Sequence, residues 1–377
     1  MSFSERLYSQ THDQIADAIV ELGPEQKNTA GHSQHIWYHI EGLKGRGKTS
    51  IIHEVARRLP NHMVRYVDCT SLTTGDIGIP KFKEADEQDF VRFVANEVLG
   101  IHTNQPLIVC LDELSKAARE VMLPLMRAGL ERSLYDYRFH PDTVFFSTGN
   151  LGIEGLGDKF QAHQLDRFTT VELRTPTNDE WLENFAIPNG LNPIVCAVVK
   201  ENPQVLADWR DVPNPEDNEY IDHPQAAGRT KGTTPRGLAK AAFIMDKIDK
   251  LDESTIQASL MGTIGTAGAK LVITYSKLID QLPPLESIKQ DPQNAKVPTT
   301  AGAAMMVAYR SLAAIERDWL DAWMTYLLRM DKDAQFMFCN GVRSPKYNKK
   351  KQSFIMQNKQ FTQWCIDHQH LFAADRV

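Results

Sequence analysis

The sequence predicts a three-layer α/β fold whose central sheet is mostly parallel. Two features of the 377 residues predict it: five short apolar, β-rich runs, and stretches with helical spacing of apolar residues between the first four of them. Strands that alternate with helices favour crossover connections, which make the strands parallel and cover the sheet with helices. The five predicted strands are residues 36–40, 64–68, 107–111, 144–148 and 170–173.

The three stretches between the first four strands each place apolar side chains on one face of a helix. Pro60 ends the first apolar pattern, and Gly100 follows the second. Each stretch is therefore predicted to be a helix. The apolar positions are Ile51, Ile52, Val55, Ala56 and Leu59 in the first, Phe90, Phe93, Val94 and Val98 in the second, and Ala118, Val121, Met122, Leu125 and Met126 in the third.

The chain divides into four predicted segments. Residues 1–34 are a polar, helical lead-in, and residues 35–175 form the α/β domain. Residues 176–282 contain an irregular, proline-rich insertion at 186–232, followed by two helices. Residues 283–377 begin with a proline-punctuated strap and continue as a helical region.

The helical parts of the last two segments can be placed more closely. The two helices are predicted at about residues 237–250 and 254–282, and the strap covers 283–298. Beyond the strap, an apolar stripe at helical spacing includes two tryptophans, which we interpret as core packing rather than as a surface that stacks bases. The stripe consists of Leu312, Ile315, Trp319, Trp323 and Leu327.

Composition excludes several classes of protein. With 42% hydrophobic and 24% charged residues, the chain can bury a core, so it is not disordered throughout. Because no apolar run approaches the ~20 residues of a membrane helix, and residues 1–6 lack a signal-peptide layout, we expect neither a membrane span nor secretion. Five scattered cysteines without a CxxC pair argue against a disulfide framework or a zinc ribbon and favour the reducing cytoplasm.

The net charge of 42 − 48 = −6 argues against a general nucleic-acid coat, but the charge is unevenly distributed. Residues 301–377 carry 11 basic and 7 acidic side chains, a net of +4, which leaves −10 for the rest. The basic segment 343–359 is the best candidate for contact with nucleic acid, although such a run of charge is more often a solvated loop.

Residues 42–49, with the sequence GLKGRGKT, match the pattern G-x-x-x-x-G-K-[ST] and follow a predicted strand. In such a loop, glycines let backbone N–H groups surround phosphate oxygens, and the next helix directs the positive end of its dipole at the anion. The lysine binds the β- and γ-phosphates, and the threonine hydroxyl binds Mg²⁺. The sequence therefore predicts an ATP and Mg²⁺ site that includes Gly42, Gly45, Arg46, Gly47, Lys48, Thr49 and Ser50.

Two more predicted strands end in polar side chains. Asp112 and Glu113 follow the third strand, and Asn150 follows the fourth. Ligands of α/β proteins bind at the carboxyl edge of the sheet, whereas two charges at the end of an apolar strand would be costly in a core. We therefore expect Asp112 to complete the Mg²⁺ site with Thr49, Glu113 to activate the attacking water, and Asn150 to contact the γ-phosphate or that water.

These elements resemble those of the MoxR-like AAA+ ATPases, a family of P-loop NTPases. Residues 42–49 resemble the Walker A loop of the family, residues 107–113 its Walker B strand, and residues 148–150 its sensor 1. With weaker similarity towards the C-terminus, the resemblance covers nearly the whole chain from about residue 36. It implies a P-loop NTPase (AAA+) core with a helical lid and a C-terminal helical region.

Two further elements of the family resemble the sequences LDRF at 165–168 and TPR at 234–236. The resemblance implies a homo-oligomeric ring, usually a hexamer, in which Arg167 reaches the neighbour's nucleotide as an arginine finger. Arg174 is the competing candidate for that finger. The resemblance also implies that Arg236, at the start of the lid, contacts phosphate bound to its own chain.

We therefore interpret the sequence as that of a Mg²⁺-dependent ATP hydrolase, a ring-forming motor that remodels a protein client. The resemblance also implies a separately encoded partner with a von Willebrand A-type domain. Two alternatives stay open. One is a DNA-acting ATPase, a translocase or nuclease-associated protein, which segment 343–359 favours and the net acidity opposes. The other is a nucleotide-gated scaffold with little turnover, which the presence of both Asp112 and Glu113 opposes.

Overall fold

The computed structural model describes residues 9–82, 91–151, 160, 162–226, 228–229 and 231–369. The signal-peptide expectation concerns residues that lie outside this part of the chain, and so does Phe90 of the second predicted helix. The chain forms two compact units, Met1–Arg174 and Thr175–Val377.

The first unit contains a six-stranded sheet in which every pairing is parallel, which confirms the predicted α/β architecture. The strands described in this unit are β1 (Ser9–Gln10), β2 (Gln26–Lys27), β3 (Ser33–Gln34), β4 (Tyr38–Gly42), β5 (Met63–Asp68), β6 (Gly78–Phe82), β7 (Val91–Ala95), β8 (Leu107–Asp112), β9 (Ser133–Leu134), β10 (Tyr137–Arg138), β11 (Val144–Asn150) and β12 (Thr169–Leu173). The α-helices described in it are α1 (His12–Leu22), α2 (Ile51–Arg58), α3 (Thr74–Ile77), α4 (Arg119–Glu131) and α5 (Ala162–Leu165).

The order of strands across the large sheet is β1, β12, β4, β11, β8 and β5. All five predicted strands are present, with ends that differ from the predicted ones by no more than two residues. Strand β1 was not predicted, because the lead-in was expected to be helical; its two residues pair with the end of β12, and α1 follows directly. In this order β4, β11 and β8 are neighbours, so the polar residues at their carboxyl ends meet at one edge.

Helices cover both faces of this sheet, which explains why β8 is buried along its whole length. Side chains alternate between the faces of a strand. Ile108 and Cys110 of β8 belong to the core cluster that includes α1 and α2. Val109 and Leu111 belong to the cluster that includes α4.

The predicted helix around Phe93, Val94 and Val98 is wrong. The structure has an antiparallel hairpin there, in which β6 pairs with β7, followed by a 3₁₀ turn at Glu97–Leu99. A run of apolar residues this short fits helical and strand spacing equally well, and the valines and phenylalanine in it favour a strand. The other two predicted helices are present as α2 and α4.

The second unit is helical. Its elements begin with α6 (Asn178–Trp181), which continues into a π-helical turn at Leu182–Ala186. The α-helices that follow are α7 (Pro193–Glu201), α8 (Pro235–Met245), α9 (Glu253–Ser276), α10 (Leu285–Gln290), α11 (Ala301–Ala314), α12 (Leu320–Leu327), α13 (Lys332–Arg343), α14 (Lys349–Met356) and α15 (Lys359–Asp367).

Three sequence-based expectations for this unit need correction. The insertion at 186–232 is not irregular throughout, because it contains α7, a helix whose residues 194–199 are all buried. The strap at 283–298 contains the short helix α10. The tryptophan stripe is buried as predicted but crosses two helices, since α11 ends at Ala314 and α12 begins at Leu320.

Helix α9 is the one described helix that is long and apolar enough to cross a membrane by length and composition. Such a helix alone is weak evidence for a membrane span, because core helices of soluble proteins have the same properties. Ile256, Leu260, Ile264 and Val272 of α9 belong to the hydrophobic core of the second unit. Its backbone is also interrupted at Gly265, where φ is 78°.

Candidate functional site

The loop between β4 and α2 has the backbone that a phosphate-binding loop requires. Gly45 and Gly47 have φ values of 71° and 91°, a region that side chains other than glycine rarely adopt. A Cβ atom on Gly47 would also lie 2.9 Å from His12 Nε2 and 2.9 Å from Ser50 Oγ. Glycine is therefore favoured at position 47 by its conformation, and a larger residue would also displace the ends of the His12 and Ser50 side chains.

Hydrogen bonds close this loop into a turn that leads into α2. The amide of Ser50 donates to the carbonyl of Gly47 at 3.0 Å, and the amide of Ile51 donates to the carbonyl of Lys48 at 3.2 Å. The ring nitrogen Nε2 of His12, from α1, lies 3.1 Å from the same Gly47 carbonyl. The loop thus precedes the positively polarised N-terminus of a helix.

Lys48 is held at the centre of the site and is only 7% exposed. Its Nζ donates to the carbonyls of Gly42 and Leu43, at 2.8 and 3.2 Å, and to Asn150 Oδ1 at 2.9 Å. The last contact follows from the strand register, because Asn150 pairs with Gly42 in the parallel β11–β4 ladder. The predicted residues Lys48 and Asn150 are therefore brought together.

Asp112 is the focus of a second group of contacts and is 9% exposed. Its Oδ1 accepts hydrogen bonds from Thr49 Oγ1, at 3.0 Å, and from Thr148 Oγ1. Its Oδ2 accepts one from the hydroxyl of Tyr66 at 2.8 Å. Carboxylate and hydroxyl oxygens are the ligands that Mg²⁺ prefers, so the pair of Thr49 and Asp112 fits this ion.

Glu113 has a backbone conformation that is uncommon for a residue with a side chain. Its φ and ψ are 54° and 36°, in the left-handed region, where strain of order 1–3 kcal/mol is expected and is often found at active sites. The amide of Glu113 donates to Thr148 Oγ1 at 3.2 Å. Asn150 Nδ2 donates to the Glu113 carboxylate at 3.2 and 3.3 Å, and Lys116 forms an ion pair with it.

A neutral histidine lies beneath the site. His39 of β4 is 1% exposed, and its Nδ1 is 2.8 Å from Ser147 Oγ. Burial, and to a smaller extent the charge of Lys48, lower the pKa of His39 to about 3. His39 therefore adds no positive charge to the site at neutral pH.

The three candidate arginines lie on different elements. Arg167 is exposed in the turn between α5 and β12, where its amide donates to the Gln164 carbonyl at 3.1 Å. Arg174 follows β12, and its amide donates to the carbonyl of Gln10 at 3.0 Å. Arg236 is exposed in the first turn of α8, in the second unit, so its contact with phosphate stays a prediction.

Tyr66, Lys116 and His12 contact the site but were not predicted from the sequence. The tyrosine is 46 residues from Asp112 in the chain, and the histidine is 35 residues from Gly47. The sequence places Tyr66 in the middle of the predicted strand 64–68, but it gives no signal that this strand is the neighbour of β8. Lys116 is three residues after Glu113 but carries no motif.

The comparisons with known proteins find similarity to solved structures of RuvB from Thermotoga maritima. A proline-to-glycine mutant of RuvB matches with a TM-score of 0.36 and 16% identity, over 65% of this chain and 63% of that one. The RuvB Holliday junction branch migration motor matches with a TM-score of 0.33 and 15% identity, over 65% and 62%. The chain thus spans less than two thirds of these RuvB structures. No family model matches the sequence, and no curated protein matches it.

Proposed function

We propose that this protein is a Mg²⁺-dependent ATP hydrolase of the MoxR-like AAA+ type. The observation that carries the proposal is the convergence of Lys48, Thr49, Asp112, Glu113 and Asn150 at one sheet edge, joined by hydrogen bonds of 2.9 to 3.3 Å. Phosphoryl transfer to water requires a phosphate-binding loop, a lysine, a metal-binding hydroxyl–carboxylate pair and a separate base. The site contains a group suited to each of these tasks.

Each group has a distinct task in this proposal. The backbone of residues 42–50, with Gly42, Gly45, Arg46, Gly47 and Ser50, would surround the phosphates, and Lys48 would exchange its carbonyl contacts for phosphate oxygens. Thr49 and Asp112 would hold Mg²⁺, which when bound neutralises charge on the phosphates. Glu113 would accept a proton from the attacking water, and Asn150 would orient that water.

The proposed assembly and the proposed roles of the arginines both rest on the resemblance to the MoxR-like family. Residues 35–175 would be the nucleotide-binding domain, and residues 176–282 would include the helical lid that begins at Arg236. Arg167 would complete the site of a neighbouring copy in a hexameric ring. Such a ring would act in the cytoplasm on a protein client, with a von Willebrand A-type partner.

Substitution of Glu113 tests the catalytic assignment. Glu113→Gln keeps the size and hydrogen-bonding capacity of the side chain but removes the carboxylate that accepts the proton. We expect ATP affinity to stay within a few-fold of wild type and steady-state phosphate release to fall by about 10²–10⁴-fold, as for loss of a general base.

The same assay has a control variant and two decisive outcomes. Glu131→Gln, at the end of α4, changes one carboxylate of the same unit that is 55% exposed and pairs with Arg127, and it should leave turnover unchanged. If Glu113→Gln hydrolyses ATP at the wild-type rate, the role assigned to Glu113 is wrong. If the wild-type protein binds ATP but releases no phosphate, the nucleotide-gated scaffold is the better interpretation.

A DNA-acting ATPase is the second candidate, and one surface feature favours it. Segment 343–359 contains six basic residues and no acidic ones. Arg343, Lys349, Lys350 and Lys359 of this segment are exposed. Contacts to DNA phosphates release counterions, so binding that weakens steeply between about 50 and 200 mM salt would support this candidate. Negligible retention of the protein by duplex and single-stranded DNA at low salt would exclude it.

A further inference from the structure

Tyr66 makes a contact with the magnesium-binding carboxylate that the proposed reaction does not itself require. Its hydroxyl donates to Asp112 Oδ2 at 2.8 Å. The other oxygen, Oδ1, accepts from Thr148 and Thr49, and the Thr49 contact to Oδ2 is longer, at 3.3 Å. Tyr66 is therefore the group that fixes the Oδ2 side of the carboxylate.

The position of Tyr66 in the sheet explains how its hydroxyl reaches the site. Strand β5 lies at the end of the large sheet and pairs with β8, with Asp68 opposite Asp112 and Tyr66 opposite Cys110. Tyr66 thus lies two residues before Asp68 along β5, and its side chain is long enough to reach Asp112. Tyr66 is 52% exposed, and water can therefore reach its ring. Its hydroxyl nevertheless bonds the Asp112 carboxylate.

The chemistry of the contact suits a permanent donor. The phenolic O–H of a tyrosine is a donor, and the fold gives it Asp112 Oδ2 as its acceptor at 2.8 Å. A hydrogen bond to a carboxylate is stronger than one between neutral groups and fixes the direction of the acceptor. Partners that orient metal-binding carboxylates typically contribute 10- to 100-fold to metal affinity.

We infer that Tyr66 is a positioning residue for the magnesium site, which orients Asp112 so that an oxygen of this carboxylate faces the ion bound with ATP. The inference rests on the proposed function, because it takes Asp112 as a magnesium ligand. The motifs at residues 42–49 and 107–113 do not include Tyr66. Its role instead follows from the pairing of β5 with β8, which places Tyr66 beside Asp112.

Tyr66→Phe tests the inference, because it removes only the hydroxyl. Phenylalanine and tyrosine are both common in strands, and the ring of Tyr66 is half exposed, so we expect the fold to be preserved. The measurement is the Mg²⁺ concentration needed for tight binding of a fluorescent ATP analogue, made on the Glu113→Gln background to prevent turnover. We expect Tyr66→Phe to raise that concentration about tenfold, while binding in EDTA stays within twofold of the parent.

The matched control is Tyr137→Phe, in β10, where the tyrosine ring lies beneath Arg92 at 5.9 Å. This control should leave the Mg²⁺ requirement unchanged. An unchanged Mg²⁺ requirement in Tyr66→Phe would overturn the inference and leave the proposed function intact. If the Glu113→Gln parent binds the analogue no better with Mg²⁺ than in EDTA, the proposed function fails and the role of Tyr66 fails with it.

Discussion

At the scale of single residues, the contacts of Glu113 indicate how the site is held before the reaction. Its carboxylate accepts from Asn150 and is paired with Lys116, and its backbone is in the left-handed region. Lone pairs that are engaged by an ammonium group are not available to a water molecule. If Glu113 is the base that we propose, its carboxylate must therefore leave Lys116, at least in part, before it can accept a proton.

Replacement of Lys116 should reveal this competition. The lysine and Glu113 side chains are 30% and 27% exposed, so solvent screens the pair and its contribution is at most about 1 kcal/mol. If the pair restrains the base, Lys116→Gln should raise basal phosphate release about two- to fivefold, the factor that corresponds to that energy.

The control for this prediction is Lys289→Gln, an exposed lysine of the second unit in a similar i, i+3 pair. It should leave phosphate release unchanged. A Lys116→Gln variant with reduced turnover and unchanged ATP affinity would contradict the prediction, because the lysine would then assist the base rather than restrain it.

Individual residues of the site differ in whether the sequence could predict them. Lys48, Thr49, Asp112 and Asn150 were predicted because a motif, or the end of an apolar strand, is visible in the chain. Tyr66 was not, because its contact depends on strand order: β5 is next to β8 in space, although the two strands are far apart in the chain. No local pattern carries that information.

At the scale of elements, strands of the large sheet could be predicted and the hairpin β6–β7 could not. Long apolar runs such as β8 are buried on both faces and have few alternatives. In the hairpin, the apolar residues Ile79, Val91 and Phe93 are 58%, 45% and 44% exposed. Its sequence therefore lacks the alternation of buried apolar and exposed polar residues that predicts a strand. Its pairing is fixed by contacts between strands, which the sequence of either strand alone does not specify.

The packing of α1 on α2 supports the phosphate loop and depends in part on Arg58. This arginine is 16% exposed as a side chain and bonds Asp17, Asp13 and Glu54 at 2.7, 2.8 and 3.0 Å. Because Asp13 and Asp17 belong to α1, the arginine links the two helices. The aspartates are 39% and 64% exposed, so the pairs are partly screened.

Arg58→Ala should therefore lower the free energy of unfolding by about 1–2 kcal/mol, with a smaller loss at high salt. The matched control is the adjacent Arg57→Ala, since Arg57 is 60% exposed and, among the residues that the structure describes, pairs only within α2, with Glu54 at 3.2 Å. Chemical denaturation of both variants provides the comparison. Equal effects of the two substitutions would show that Arg58 does not link the helices energetically.

At the scale of the whole molecule, the question is whether one chain contains a complete site. The described residues of the first unit supply the proposed phosphate loop, the proposed magnesium pair and the proposed base. Arg167 is exposed, but the turn that carries it is firmly anchored. The ring of the next residue, Phe168, packs against Trp37, His39 and Phe160 with centroids 5.5, 5.0 and 4.9 Å away. An exposed arginine on an anchored turn is compatible with the proposal that Arg167 acts on another copy of the chain.

Mixing two inactive variants tests this arrangement directly. Arg167→Ala and Glu113→Gln should each reduce phosphate release at least 10²-fold when alone. In a mixed assembly, an Arg167→Ala copy retains Glu113, and a neighbouring Glu113→Gln copy offers Arg167, so their shared interface is complete. A one-to-one mixture should therefore regain up to about a quarter of wild-type turnover if neighbours assort at random, as action between copies requires. A mixture of Arg174→Ala and Glu113→Gln decides between the two arginines. Turnover should recover only in the mixture whose substituted arginine is the one that acts on the neighbouring copy. A mixture that stays as inactive as its components would mean that Arg167 acts within its own chain or not at all.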